Sequence, residues 1–182
     1  MNRTKTRQNK KKGMKTSLTL HNPNLNDLRF RQKLLSDERT MSYNPAWGGT
    51  IDFPKEQWKD WYDHWIRNPE GRRYYRYVKT ASKEFVGEIA YHYDQETKCY
   101  MADVIIHADH RGKGYGSEAL GLLCRIAKEN GIKALYDDIA IDNPAIALFL
   151  KHGFIEEYRT DTIIMLRKDL EKEKGEPGHG IR

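Results

Sequence analysis

The stretch Val104-Ile105-Ile106-His107-Ala108-Asp109-His110-Arg111-Gly112-Lys113-Gly114-Tyr115-Gly116-Ser117 decides how this chain is read. An apolar run suited to a strand leads into glycines at 112, 114 and 116, and a helical pattern begins at once. Closely spaced glycines let a backbone approach a ligand and turn successive N–H groups to one side. The start of a helix adds partial positive charge. Arg111 and Lys113 set full charges beside it. Such a construction suits a pyrophosphate. A Walker loop would end in Gly-Lys-Ser/Thr, whereas Gly116 is followed directly by Ser117. A dinucleotide fingerprint would place two residues between its second and third glycines, and here there is one.

Outward from that stretch, the upstream pattern predicts strands at 74–79, 85–93 and 99–107, joined by short polar links into an antiparallel meander. Earlier still, residues 18–21 suit a short strand. Leu25, Leu28 and Leu35 fall on helical spacing over 25–36, with Asn24 as cap. A second helix starts at Pro54, where a missing N–H costs nothing, and carries Trp58, Trp61 and Trp65 on one core-facing side. Downstream, a helix over 117–130 stops at Gly131. The strand at 135–141 should lie parallel to the third meander strand by the right-handed crossover rule. Asn143-Pro144 opens a helix over 145–152, and 154–158 with 162–166 read as a closing hairpin. The fold expected is α/β of the α+β type: a mixed, mostly antiparallel sheet of six to seven strands with about four flanking helices.

Arg111-Gly112-Lys113-Gly114-Tyr115-Gly116 resembles the R/Q-x-x-G-x-G/A signature of the GNAT N-acetyltransferases. Residues Asn143 to Phe154 are similar to that family's Asn…Ala…Leu-Tyr…Lys…Gly-Phe segment. The two blocks stand in the family's order and strand–helix context, and the resemblance covers about residues 17–167. It implies the acyl-CoA N-acyltransferase fold, with the fourth and fifth strands splayed and acetyl-coenzyme A as cosubstrate. On that likeness Val104, Ile105 and Ile106 would pair with the pantetheine arm. Arg111, Gly112, Lys113, Gly114, Tyr115, Gly116 and Ser117 would hold the pyrophosphate. Asn143 would contact the pantetheine region, and Ala145, Leu148 and Phe149 would flank the thioester. Tyr43 and Trp47 lie in the loop that often shapes the acceptor site. The family commonly has Tyr where this chain has Phe149, which has no proton to give the leaving thiolate. Tyr115 and Tyr136 are alternative donors, and a thiolate of pKa near 8.5 also leaves unaided.

An amine attacking a thioester must be neutral, close and in line, so a base has to take its proton. Glu88 on the second meander strand is the first candidate and Asp103 on the third is the next. Carboxylates in core strands are costly unless they face a cavity or a partner, so these residues with Tyr136-Asp137-Asp138 suggest a negative acceptor pocket. Alternation sends Asp137 and Asp138 to opposite faces, and Tyr136 and Asp138 are assigned to the acceptor. His92 and His107 read as rim or satisfied core histidines. Ser117 has no His/Asp arrangement to make it a nucleophile. The expected acceptor is a small cationic amine, with two alternatives open: a protein N-terminus or lysine, and a non-catalytic acetyl-coenzyme A sensor.

The net charge of +6 belongs to the start of the chain. Arg3, Lys5, Arg7, Lys10, Lys11, Lys12 and Lys15 face no acid within residues 1–15, and removing them leaves a nearly neutral body. No aromatic residue interleaves those charges to stack on bases, so nucleic acid is not the expected partner, and Met14 offers a second start. The expected division is a basic tail over 1–15, one domain over 16–168 and a C-terminal tail over 169–182. Cys99 and Cys124 read as buried thiols without metal spacing, and no metal is expected. With no apolar run long enough for a membrane span and no signal-type core, the expected location is cytoplasmic. A homodimer is left open.

Overall fold

The computed structural model describes residues 18–45 and 48–171. The basic tail with Met14, the acceptor-loop residue Trp47 and the end of the C-terminal tail lie outside the described residues. Seven strands form one sheet: β1 Thr19–His21, β2 Arg73–Lys79, β3 Phe85–Tyr93, β4 Tyr100–Ile106, β5 Ala134–Ala140, β6 Ile155–Arg159 and β7 Ile163–Asp169. Four α-helices flank it: α1 Leu28–Ser36, α2 Lys55–Tyr62, α3 Tyr115–Glu129 and α4 Ala145–Lys151. The strand order is β1-β2-β3-β4-β5-β7-β6, antiparallel throughout except for the parallel contact of β4 with β5. This is the mixed sheet and helix number expected from the sequence.

Local chemistry explains the boundaries. Asn24 accepts from the N–H groups of Asn26 and Asp27, and Asp27 returns the bond to Asn24, a capping box that starts a 3-10 turn before α1. On α3, Leu120, Leu123, Cys124 and Ala127 recur on one stripe and are all buried. Gly131, at φ +79°, ends that helix while the N–H of Ile132 reaches back to the Ala127 carbonyl. The helix begins at Tyr115, two residues before the expected start, because left-handed Gly114 closes the turn. The second helix changes to π geometry over Asp63–Arg67.

Two expectations are corrected. Cys99 is half-exposed just before β4 and only Cys124 is buried. The folded body also runs past 168: β7 continues to Asp169, and Leu170 is 5% exposed within the core.

Strand alternation divides the sheet into two faces. Ile89 and Tyr91 of β3 pack with Ala102 and Ile106 of β4, Leu135 and Ile139 of β5, and α3. The opposite face carries Glu88, Ala90 and His92, matched by register to Ile105, Asp103 and Met101. On that side α1, α2 and the residues after α1 form an apolar layer of Leu28, Leu35, Met41, Phe53 and Trp58, against which Tyr43, Trp61 and Ile105 rest. Trp58 is thus core, as its spacing predicts.

The feature that creates a site is incomplete pairing. Strand β4 pairs with β3 along its whole length, from Tyr100 to Ile106. Towards β5 its register contains a single pair, Met101 with Tyr136. Beyond that apex, the β5-facing edge of β4 up to Ile106 has no strand partner among the described residues. The main chain therefore opens as a V whose wide end meets the glycine loop.

Candidate active site

At the mouth of the V, β4 ends at Ile106 and His107 turns the chain into a short 3-10 helix, Ala108–His110. Gly112 and Gly114 follow with φ of +75° and +85°, a region that glycine enters without steric cost. The first backbone bond of α3 runs from the Glu118 N–H to the Gly114 carbonyl. Among the described residues, the N–H groups of 112–117 have no main-chain acceptor. Six consecutive unsatisfied donors at the start of a fifteen-residue helix, on a largely exposed bend, are an arrangement suited to an anion. Gly116 differs from the other two: its φ is not left-handed, and a Cβ there would make ordinary contacts with Leu148 of α4 at 3.4 Å and Ile106 at 3.8 Å.

The two cations of the loop are placed differently from what their charge suggests. Arg111 donates from Nε to the Ile106 carbonyl at 3.1 Å, from Nη1 to the Arg39 carbonyl at 3.1 Å, and from Nη2 to the Thr40 carbonyl. It therefore clamps the loop after α1 onto the cradle. The Ala108 N–H donates to Thr40 Oγ1 at 3.0 Å and reinforces the same clamp. Lys113 donates to the Asp109 carbonyl at 3.0 Å. The Ser117 hydroxyl lies 2.7 Å from His152 Nε2. His107 is buried between Asp37, 3.3 Å from its Nε2, and the Asp109 N–H, which donates to Nδ1. Burial lowers its pKa against the pull of those carboxylates, which keeps it a neutral core histidine.

Around α4 the assigned residues mix packing with access. Asn143, just ahead of the helix, accepts from the Ala145 N–H at 2.8 Å. Ala145 and Leu148 are half-buried. Phe149 is 4% exposed, its ring set edge-on to Phe154 at 4.9 Å.

The carboxylates separate into two kinds. Glu88 is 3% exposed, ion-paired to Arg31, and accepts the Tyr75 hydroxyl on its other oxygen. The Arg31 guanidinium is itself boxed by Trp61, Phe53 and Tyr75, 4.7 to 5.4 Å from their ring centres. The sequence ranks Glu88 ahead of Asp103 as base; in the structure both Glu88 oxygens are occupied. Glu88→Gln should cost about 3 kcal/mol of stability by leaving a buried guanidinium without its counter-charge. Replacing both partners by methionine should recover most of that loss. Equilibrium unfolding of the three proteins checks this; an unchanged midpoint in Glu88→Gln would show that the pair carries no stability.

Asp103 is exposed on the same face, its Oδ2 3.5 Å from His92 Nδ1, and this contact raises the imidazole pKa. Asp138 shares that face, while Tyr136 is held through its hydroxyl, which accepts from Arg167 Nε at 3.0 Å. Burial raises the carboxyl pKa of Asp138, and the neighbouring Asp103 and Asp94 raise it further. The Tyr43 ring packs on the apolar layer that Ile105 also touches, and its hydroxyl pKa is pushed up by burial and further by Glu88, Asp103 and Asp137. Among the described residues no cluster of three His, Cys, Asp or Glu side chains could hold a metal ion, and no helix is long and apolar enough to cross a membrane. Sequence reasoning missed Arg31, His92 as a partner of Asp103, and His152, whose contacts join segments far apart in the chain.

Comparison with known proteins agrees with this geometry. The spermidine N-acetyltransferase of Vibrio cholerae, in a structure with CoA and spermine, superposes with a TM-score of 0.68 at 21% identity, over 85% of this chain and 96% of that one. An N-acetyltransferase from Staphylococcus aureus gives 0.68 at 19% identity, over 85% and 99% of the two chains. A GNAT-family acetyltransferase from Bacillus anthracis gives 0.68 at 18%, over 86% and 96%. At such identities the likeness is one of fold. No curated protein matches the sequence. The family profile described as acetyltransferase (GNAT) family matches residues 11–154, a span that includes the meander, the V and the glycine cradle. This chain therefore belongs to the GNAT acetyltransferase family, whose members transfer acetyl groups from acetyl-coenzyme A.

Proposed function

We propose that the acceptor is a small cationic primary amine, entering from the α1–α2 side of the V, and that Asp103 takes its proton. The observation carrying this reading is the grouping of Asp103 and Asp138 on one face beside the apex, with Asp94 near enough to perturb Asp138. Like charges held together cost free energy that a cationic ligand relieves. Asp103 is the member of the group that combines exposure with a histidine partner able to pass a proton on. Tyr43, kept neutral, is suited to hydrogen-bonding the incoming amine. In this reading Glu88 is wall rather than base.

On the other side of the V, the N–H groups of 112–117 hold the pyrophosphate and the free edge of β4 from Val104 to Ile106 holds the pantetheine arm. Acetyl-coenzyme A supplies the thioester. The protein supplies alignment, exclusion of water by the apolar layers, and proton transfer at Asp103. The spermine in the Vibrio cholerae structure supports the amine class without fixing the molecule.

The test is thiol release across monoamines, diamines, polyamines and peptides. Di- and polyamines should turn over fastest. Asp103→Asn should lower kcat about 100-fold with acetyl-coenzyme A affinity unchanged. Turnover of peptides alone, or an unaltered rate in Asp103→Asn, would refute the proposal. The same variant should return the His92 pKa towards its ordinary value near 6.5, followed by NMR titration of the imidazole. The sign follows from linkage. A histidine whose folded pKa is raised contributes stability in full below its unfolded pKa and loses it as pH rises through the folded value. The variant should therefore be less stable than wild type only on the acid side.

A further inference from the structure

Phe149 leaves the leaving group without the hydroxyl donor that the resemblance led one to expect. Neither substitute tyrosine is at the right place. Tyr136 lies on the acceptor face with its hydroxyl against Arg167, and Tyr115 opens α3 at the mouth of the V. From Ile106 back to Asp103, β4 spans about 10 Å at about 3.3 Å per residue. A chain anchored by its pyrophosphate at the mouth and running inward along this edge brings its far end towards the apex.

The first β5 residue beyond the apex is Asp137. Its register partner on β7 is Leu166, and its same-face neighbours Leu135 and Ile139 are 0% and 5% exposed. Alternation therefore directs its side chain to the α3–α4 side, the coenzyme side, away from Asp138. Asp137 is only half-buried despite those neighbours, because the V opens beside it. Among the described residues its side chain has neither a hydrogen bond nor an ion pair. A carboxyl in an apolar wall, without a partner and with an opening in front of it, is costly unless it serves the reaction.

We infer that Asp137 is the general acid, giving its carboxyl proton to the coenzyme A sulfur as the C–S bond breaks. The inference rests on the acetyl-transfer reading of the V. The neutral amine forms the C–N bond with the acetyl carbon, the electrons of the C–S bond pass to sulfur, and Asp137 protonates the sulfur and becomes a carboxylate. Asp103, having passed the first amine proton through His92 to water, removes the surplus proton from nitrogen, and water reprotonates Asp137.

Burial raises the Asp137 pKa well above the usual carboxylate range, and Asp103 and Asp138 raise it further, so the group carries a proton where other aspartates do not. The charged groups that act on it are Asp103 on β4 and Asp138 on β5, and its own charge reaches Tyr43; farther along the same face lie Cys124 on α3 and Lys168 on β7, the register partner of Leu135, whose ammonium donates to the His152 carbonyl at 2.6 Å. Two carboxylates on opposite sides of the apex, one exposed and one half-buried in an apolar wall, divide the roles of base and acid.

The test compares wild type, Asp137→Asn and Asp137→Leu as full chains. Both variants should lose about 30- to 100-fold in kcat, lack the alkaline fall of the wild-type pH profile, and keep amine KM and acetyl-coenzyme A affinity within about twofold. Their thermal midpoints at pH 8 should equal or exceed that of wild type. A carboxyl with a raised folded pKa makes stability fall as pH rises from the unfolded to the folded value, and removing it removes that loss. A kcat within twofold of wild type in Asp137→Asn, or an effect confined to amine KM, overturns the assignment. Should peptides prove to be the acceptors while the kcat loss persists, the amine reading fails and Asp137 stands.

Discussion

Gly114→Asp should abolish measurable acetyl-coenzyme A binding, by roughly 1000-fold or about 4 kcal/mol, while the protein stays folded. Two effects add. The residue sits at φ +85°, where an L side chain costs about 1–2 kcal/mol, and the new carboxylate lies among the N–H groups that would hold a diphosphate. The surroundings explain why the fold survives: a Cβ built at 114 meets nothing within 4 Å, and the position is exposed. Gly114→Ala carries the strain without the charge and should lose far less. Calorimetry on the two variants separates these contributions, and an unchanged affinity in Gly114→Asp would remove the cradle from the account.

The largest expected loss of stability is at Gly87. A Cβ there would stand 2.2 Å from the Ile105 carbonyl oxygen and 2.8 Å from Ile106 Cδ1, closer than real contacts allow. β3 is held against β2 on its far side, so the strain falls on the β4 backbone at Ile105 and Ile106. Gly87→Ala should therefore cost about 4 kcal/mol, lowering Tm by roughly 8–16 °C. It should also weaken coenzyme binding in whatever protein remains folded, since the backbone displaced belongs to Ile105 and Ile106, on the free edge. A Tm within about 2 °C of wild type would mean that the two strands are less tightly apposed than described.

These residues mark where sequence could and could not be read. The cradle was legible because its signal is local: alternate glycines between an apolar strand and an amphipathic helix state their conformation within a few positions. Strand and helix periods gave the meander, the crossover and the closing hairpin for the same reason. The V was legible only through family resemblance, since nothing in the composition of β4 or β5 says that their pairing stops after Met101 and Tyr136.

Roles set by distant partners were hidden. Arg111 looks like a phosphate ligand until Arg39 and Thr40, about seventy residues earlier, take its guanidinium. Glu88 looks like a free base until Arg31 arrives from α1. Alternation did separate Asp137 from Asp138, yet which of the two faces α3 covers had to be read from its packing. The need for glycine at 87 depends on a carbonyl of another strand, and no pattern in the sequence announces it.

Amide NMR during titration with acetyl-coenzyme A tests the central claim most directly. The N–H resonances of Gly112 to Ser117 should shift and gain protection from exchange, together with those on the free edge of β4 between Val104 and Ile106. Saturation that leaves the 112–117 amides unmoved while shifting resonances elsewhere would contradict it.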